Sequence, residues 1–274
     1  MNLLICPVCK GVLEDRHGSL KCQSGHSFDL AAAGYVNLML KSSTKQSGDS
    51  GEMIAARHIF LEKGYYACLC EALSALILKK LFAFGPNPVI IDSGCGEGYY
   101  TTGVLKALET VGIKPMMFGL DLSKAAVKKA AKRRSGAFFA VASVFEMPLS
   151  DSCADIVIDI FAPLSTEEFR RVLLKGGYLF IVAPGKRHLF GLKEFLYEHP
   201  YENEDNCFNI DGFETDEVIT VRRDIKIEGA ADIASLFMMT PYYWKTPAQA
   251  AIRLQSLTEL DTLIEFEIHV LKRL

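Results

Sequence analysis

Val89-Ile90-Ile91-Asp92-Ser93-Gly94-Cys95-Gly96-Glu97-Gly98 is a short apolar run that ends in an acid and opens into three glycines. The run reads as a buried strand. Glycines placed directly behind a strand permit a sharp turn and a close backbone approach to a ligand. A helix is expected from there to about Val111, and its first free N–H groups would face the same turn.

The same rhythm continues outward. Strands are expected over residues 116–121, 137–141, 155–160 and 177–183, with helices over 123–134 and 165–174. Strands alternating with helices imply an α/β fold, a doubly wound, mostly parallel sheet covered on both faces. Upstream, Asp49 or Ser50 caps a helix running to Gly64, and a second helix runs from Tyr66 to Phe84 and stops at Gly85-Pro86. Beyond about Lys193 the pattern weakens. Strands are expected over 218–227 and 264–271, with two helices between them.

The chain has 274 residues, half of them hydrophobic and 23% charged, which excludes a disordered chain or a coiled coil. The net charge of −3 excludes a basic tail holding nucleic acid by charge alone but leaves room for a local basic groove. No apolar run reaches the roughly 18 residues of a membrane helix, and no secretory leader is read at Met1, so a cytoplasmic protein without a membrane span is expected.

The first 40 residues are different in kind, rich in Cys, Gly and His. In Cys6-Pro7-Val8-Cys9 and Cys22-Gln23-Ser24-Gly25-His26, two residues separate the first pair, twelve separate the pairs, and three separate Cys22 from His26. Short loops of this kind place two donors on one metal, and four such donors complete a tetrahedral, structural Zn2+ site. Gly11 and Gly25 suit the tight turns required. His17 is an alternative ligand. The polar stretch 41–48 reads as a linker or loop. The expected division is a zinc-binding module over 1–40, a linker and helical lid over 41–84, and a main α/β domain over 85–274.

An acid at the end of the second strand, Asp121 in Leu120-Asp121-Leu122-Ser123, is placed to accept both ribose hydroxyls of a nucleoside cofactor. The glycine spacing G-x-G-x-G behind Asp92 resembles motif I of the class I S-adenosylmethionine-dependent methyltransferases; an NAD-type Rossmann loop is the alternative. Ala142-Ser143-Val144-Phe145-Glu146-Met147-Pro148 with Cys153-Ala154-Asp155 resembles the segment flanking adenine in that superfamily, and Arg171-Val172-Leu173-Leu174-Lys175-Gly176-Gly177 its turn into the fifth strand. The resemblance implies a Rossmann-like fold and a cofactor site of Asp92, Gly94, Cys95, Gly96, Glu97, Gly98, Tyr99, Asp121, Leu122, Ser143 and Val144. Tyr66, in the segment that often covers the cofactor in this fold, and His188 are added to it.

The zinc pattern ahead of this core, together with Ser47-Gly48-Asp49-Ser50-Gly51-Glu52-Met53, Pro184-Gly185-Lys186-Arg187-His188-Leu189 and Met239-Thr240-Pro241-Tyr242-Tyr243-Trp244, resembles the RlmA family of 23S rRNA guanine-N1 methyltransferases over nearly the whole chain. That resemblance implies methylation of N1 of a guanine in a large-subunit rRNA stem-loop, with macrolide resistance in some members, and a homodimer paired through the zinc module. A small-molecule methyltransferase with a structural zinc cap is the other function to weigh.

The proton leaving N1 needs an acceptor. Asp159, at the end of the fourth core strand, and His188, just past the fifth, are the candidates, against a strand-end cap for Asp159 and a cofactor or phosphate contact for His188. Asp159-Ile160-Phe161-Ala162-Pro163 departs from the superfamily's usual acceptor segment. Tyr242, Tyr243 and Trp244 are expected either to wall an unstacked base or to fill core. Lys124, Lys128 and Lys132 form one face of a helix, either tracking phosphates or simply solvated.

Overall fold

The computed structural model describes residues 3–40, 49–82, 84–85 and 87–274. The stretch 41–48, read as a linker, lies outside the described residues, as does Pro86 of the expected helix stop.

A three-stranded ribbon comes first: β1 (Glu14–Asp15), β2 (Ser19–Lys21) and β3 (Ser27–Asp29), in that order. β4 (Tyr35–Asn37) leaves the ribbon and joins the edge of the large sheet, parallel to the strand Phe138–Val141. The ribbon segment therefore ends inside the main hydrogen-bond ladder. Helices α1 (Gly51–Glu62) and α2 (Ala67–Leu81) follow. Ser50 caps α1, its hydroxyl accepting the Met53 N–H.

The core then runs β5 (Val89–Ser93), α3 (Tyr99–Thr110), β6 (Met116–Asp121), α4 (Lys124–Lys132), β7 (Phe138–Val141), β8 (Ala154–Ile160), α5 (Thr166–Val172) and β9 (Leu173–Pro184). The remaining elements are α6 (Phe190–Leu196), β10 (Phe213–Glu228), α7 (Ala230–Met238), α8 (Tyr242–Lys245), α9 (Ala248–Leu254) and β11 (Glu259–Arg273). The eight-stranded sheet has the order β10-β11-β9-β8-β5-β6-β7-β4. It is parallel from β9 to β4, while β10 and β11 add an antiparallel edge. The chain winds one way from β5 to β7 and then resumes on the other side with β8. This reversal opens a crevice beyond the carboxyl ends of β5 and β8, where ligands of such sheets bind.

The last third departs from the sequence expectation. Three helices, not two, lie between the final strands, because Pro241 and Pro247 divide the segment and leave α8 as a single turn. α6 was not anticipated, and β10 and β11 extend beyond their expected limits. They pair along their whole length as a long antiparallel ribbon, and that pairing is invisible in either strand alone.

Alternate residues of each strand enter two large apolar clusters. Ile90, Ile156, Ile158 and Phe266 face α2, α3, α6 and α7. Ile91, Val157, Leu179 and Ile181 pack with α5 and with Leu3, Leu4, Leu13 and Leu20 of the ribbon. At about 1.5–3 kcal/mol per buried side chain, those leucines seat the ribbon on the sheet. The Ile5 N–H also bonds the Pro148 carbonyl at 3.0 Å.

Candidate active site and zinc centre

Two turns of the ribbon bring four metal-type donors together. Cys6, Cys9, Cys22 and His26 each offer a donor atom within 4.8 Å of the others. Cys9 Sγ lies 3.5 Å from Cys22 Sγ, and Cys22 Sγ lies 3.3 Å from His26 Nδ1. Zn–S bonds of about 2.3 Å in a tetrahedron place sulfurs just under 4 Å apart, so the donor set and spacing fit Zn2+. The turns are held by backbone bonds from Lys10 N to Cys6 O and from Gly25 N to Cys22 O, and Lys10 and Gly25 take the left-handed conformation that such turns need. The Gly11 N–H, followed by the Ser24 hydroxyl, lowers the Cys9 thiol to about 6, which favours the ligating thiolate. His17 lies in the β1–β2 hairpin and is not in the cluster.

The glycine loop leaves β5 with Gly94, Gly96 and Gly98 all at positive φ. The three do different work. A Cβ on Gly94 would meet Ala162 Cβ at 2.5 Å, and one on Gly98 would meet Ala130 Cβ at 2.8 Å, so both are needed for packing. A Cβ on Gly96 would meet nothing within 4 Å, so that glycine faces open space. Asp121 organises the turn. Its Oδ2 accepts the Gly96 N–H at 2.9 Å and its Oδ1 the Ser123 N–H at 2.7 Å, which leaves one lone pair on each oxygen. Leu122 follows it at the same strand end.

Glu97 spends one oxygen inside the protein. Oε2 lies 2.5 Å from Arg133 Nη2 and 2.8 Å from His58 Nδ1, while Arg133 Nε donates to the Glu97 carbonyl and Nη2 also reaches Glu62. His58, Glu62 and Glu97 are close enough to hold a metal, but Arg133 already supplies the positive charge between them. The network ties α1 and α4 to the loop. Tyr99 opens α3 beneath the Arg133 guanidinium, 5.9 Å from its ring centre. Cys95 is buried and its thiol is pushed well up by burial.

Among the buried polar atoms without a protein partner, Ser93 Oγ and Asp159 Oδ2 stand on paired residues at the ends of β5 and β8, Glu97 Oε1 lies in the glycine loop, and Tyr100 Oη and Thr102 Oγ1 lie in the first turn of α3; Tyr197, Thr246 and Thr262 carry others elsewhere. Leaving such a group unpaired costs about 1–3 kcal/mol each, which argues for a polar ligand here. Asp159 stands opposite Ser93 in the β5–β8 register. Burial, reinforced by the Asp92 charge, raises its carboxyl to about 8, against the opposing Ala162 N–H. Burial likewise raises Asp92 to about 7, although Thr101 donates a hydrogen bond to it. Phe161, two residues past Asp159, holds a left-handed φ of 53° and is 47% exposed. An aromatic side chain kept in that strained conformation and partly in solvent is characteristic of a functional position.

His188 is closed in. Its Nδ1 accepts the Glu265 N–H at 3.2 Å, and Nε2 lies 3.3 Å from the Tyr66 hydroxyl. Burial pushes its pKa down to about 3, so the ring is neutral with both nitrogens engaged. Tyr66 is itself buried, edge-on to Phe60 and Phe266. Glu265 fixes this corner, its Oε2 accepting the Arg187 N–H at 2.6 Å and its Oε1 lying 3.3 Å from Arg222. Ser143 and Val144 follow β7. The Ser143 hydroxyl accepts the Phe145 N–H and Val144 is buried. Of the aromatic trio, Tyr242 packs inward near Tyr197, whereas Trp244 is 71% exposed. Sequence reading missed Arg133, His58, Glu265 and the exposure of Phe161. Only Phe161 carried a signal, its position just after the strand-end acid.

Comparison with known proteins accords with this geometry. A family model described as "RlmA, N-terminal" zinc ribbon matches residues 4–47, and a methyltransferase-domain model matches residues 85–226. The chain is 38% identical over 198 residues to the "23S rRNA (guanine(748)-N(1))-methyltransferase" of Streptomyces fradiae, covering 72% of this chain and 68% of that protein. It is 32% identical over 274 residues to the "Putative 23S rRNA (guanine-N(1)-)-methyltransferase YxjB" of Bacillus subtilis strain 168, covering 97% of this chain and 96% of that one. With a Cys3His zinc ribbon seated on a methyltransferase sheet, and with relatives matched over nearly its full length, the chain belongs to the RlmA family of 23S rRNA (guanine-N1)-methyltransferases.

Proposed function

We propose that this protein transfers the methyl group of S-adenosylmethionine to N1 of a guanine in a stem-loop of large-subunit (23S) rRNA. The observation that carries the proposal is Asp159, a buried carboxyl with an unpartnered oxygen at the sheet's switch point, raised to about 8 and beside a glycine loop with one open face. A base poised near neutral pH is suited to taking a proton in the transition state.

The cofactor supplies an electrophilic methyl group on a sulfonium. The chain's residues do the rest. Gly94, Cys95, Gly96, Glu97, Gly98 and Tyr99 shape the cradle for its methionine part, and Asp92 stands at the base of that loop. Asp121 and Leu122 would hold the ribose, and Ser143 and Val144 would border the adenine. N1 would receive the methyl group of the bound cofactor, leaving S-adenosylhomocysteine to depart, and Asp159 would take the N1 proton. Phe161 offers a face on which the unstacked guanine lies. His188, with both ring nitrogens engaged, holds Tyr66 and the 185–188 turn in position, which leaves Asp159 as the better acceptor.

Cys6, Cys9, Cys22 and His26 hold a structural Zn2+, and the module over 1–40 helps read the RNA, with 41–84 as linker and lid and 85–274 as the catalytic domain. Pairing of two copies through the zinc module, work in the cytoplasm and an effect on macrolide sensitivity belong to the same proposal. No helix among the described residues is long and apolar enough to cross a membrane. The test is incubation with methyl-labelled cofactor and 23S rRNA lacking its modifications, then mapping of the label. Label at N1 of one guanine is expected. Cofactor binding without any RNA label would refute the proposal in favour of a small-molecule substrate.

A further inference from the structure

The chain is acidic overall, yet one short helix and the residues just past it carry several positive charges without an ion-pair partner among the described residues. Lys124, Lys128, Lys129 and Lys132 on α4, and Arg134 just past it, have no ion-pair partner among the described residues. Arg133, lying among them, is taken up by Glu62 and Glu97. Lysines spaced four apart along a helix repel one another, so the row at Lys124, Lys128 and Lys132 destabilises the helix unless an anion lies along it.

α4 lies between two functional parts of the molecule. Its buried face, Val127, Ala130 and Ala131, packs against Tyr35 of β4 and Phe139 and Val141 of β7, with Ala31 and Ala33 of the zinc ribbon segment alongside. Ala130 also abuts Gly98 of the cofactor loop. The helix is thus wedged between the zinc module and the cofactor loop, and Lys124, Lys128 and Lys132 are exposed. At 1.5 Å per residue they are spaced about 6 Å apart, comparable with the step between successive phosphates of a strand.

We propose that this face of α4 binds the phosphate backbone of the RNA substrate beside the base being methylated. The inference rests on the rRNA reading above and adds a surface to it. It contributes affinity without sequence preference, because phosphate contacts position a nucleic acid and do not read it.

The test compares Lys128→Glu/Lys132→Glu with Lys106→Glu/Lys114→Glu. The second pair makes the same charge change at exposed, unpaired lysines off α4. Binding of unmodified large-subunit rRNA is measured across a salt series, together with S-adenosylhomocysteine affinity and the thermal midpoint. The α4 pair should bind RNA at least about tenfold more weakly and reduce the log–log salt slope by about 1.4–1.8, two contacts at about 0.7–0.9 each. Cofactor affinity should hold, and the control pair should stay near wild type. A Lys128→Gln/Lys132→Gln variant keeps the test open if the reversed charges impair folding, and it should lower the slope in the same way. Equal losses in both Glu pairs would indicate a general field effect and overturn the proposal, as would an unchanged α4 pair. In both cases methylation by the wild type leaves the rRNA reading standing. Wild-type protein that neither binds nor methylates rRNA would overturn both.

Discussion

Alanine placed at Gly96 and at Gly98, two residues apart in one loop, should fail in opposite ways. At Gly98 the new Cβ would lie 2.8 Å from Ala130 Cβ, 3.2 Å from Ala130 Cα and 3.3 Å from Phe139 Cζ. Ala130 belongs to a helix and cannot rotate away. The left-handed backbone costs about 1–2 kcal/mol for a residue with a side chain, and overpacking a filled contact costs about 1–3 more. Gly98→Ala should therefore lose about 2–5 kcal/mol. At Gly96, φ is 53° and nothing lies within 4 Å of the added carbon, so only the backbone cost of about 1–2 kcal/mol remains. Its methyl group, however, would project into the open space where the proposed function puts the cofactor. Thermal unfolding with and without S-adenosylhomocysteine separates the two effects. At about 2–4 °C per kcal/mol, Gly98→Ala should lower the ligand-free midpoint by roughly 4–20 °C and Gly96→Ala by roughly 2–8 °C. By calorimetry, Gly96→Ala should bind the ligand at least about tenfold more weakly, a loss of about 1.4 kcal/mol, while Gly98→Ala that remains folded should bind it nearly normally. Equal losses of stability, or wild-type affinity in Gly96→Ala, would refute the division of labour drawn for this loop.

With Asp159 near 8, the single-turnover methylation rate should rise with pH and level off above about 8, and Asp159→Asn should be slower by about 100- to 10,000-fold with cofactor affinity retained. Its carboxyl titrates higher folded than unfolded, so its contribution to stability is full below the ordinary aspartate value of 3.8 and is lost as pH rises to about 8; ligand-free wild type should lose stability over that range relative to Asp159→Asn. Removing zinc with a chelator, or by Cys9→Ser, should lower a single cooperative unfolding transition and reduce RNA methylation more than cofactor affinity, because the ribbon's leucines share a core with Ile91 and Val157; a separate low-temperature transition would show an independent module. Trp244→Ala, at an exposed side chain, should weaken RNA binding by about 1–3 kcal/mol, as for one lost stacking contact, and leave the midpoint unchanged.

Features carried by residues close together in sequence were legible from the sequence. The zinc set needed only two short pairs of donors, and the glycine loop needed a strand before it and a helix after it. β9 begins at Leu173, inside the expected helix and four residues before the expected strand, whereas the core elements from Val89 to Ile160 appeared close to their expected limits because each carries its own apolar period and its own turn signals. The last third did not, since the pairing of β10 with β11 joins residues up to 60 apart, from Phe213 with Arg273 to Glu228 with Glu259.

By itself, then, the sequence determined the fold class, the donors of the metal site and the place of the glycine turn behind β5, because local spacing encodes all three. Only the tertiary structure decided what each loop residue is for. It placed Ala130 against Gly98 and left Gly96 open. It engaged Glu97 with Arg133 and His58, and both nitrogens of His188 with Glu265 and Tyr66. It buried Asp159 with an oxygen unpartnered. The physical reason is that packing space, desolvation and hydrogen-bond satisfaction are properties of neighbours distant in the chain, and those neighbours meet only when the sheet closes.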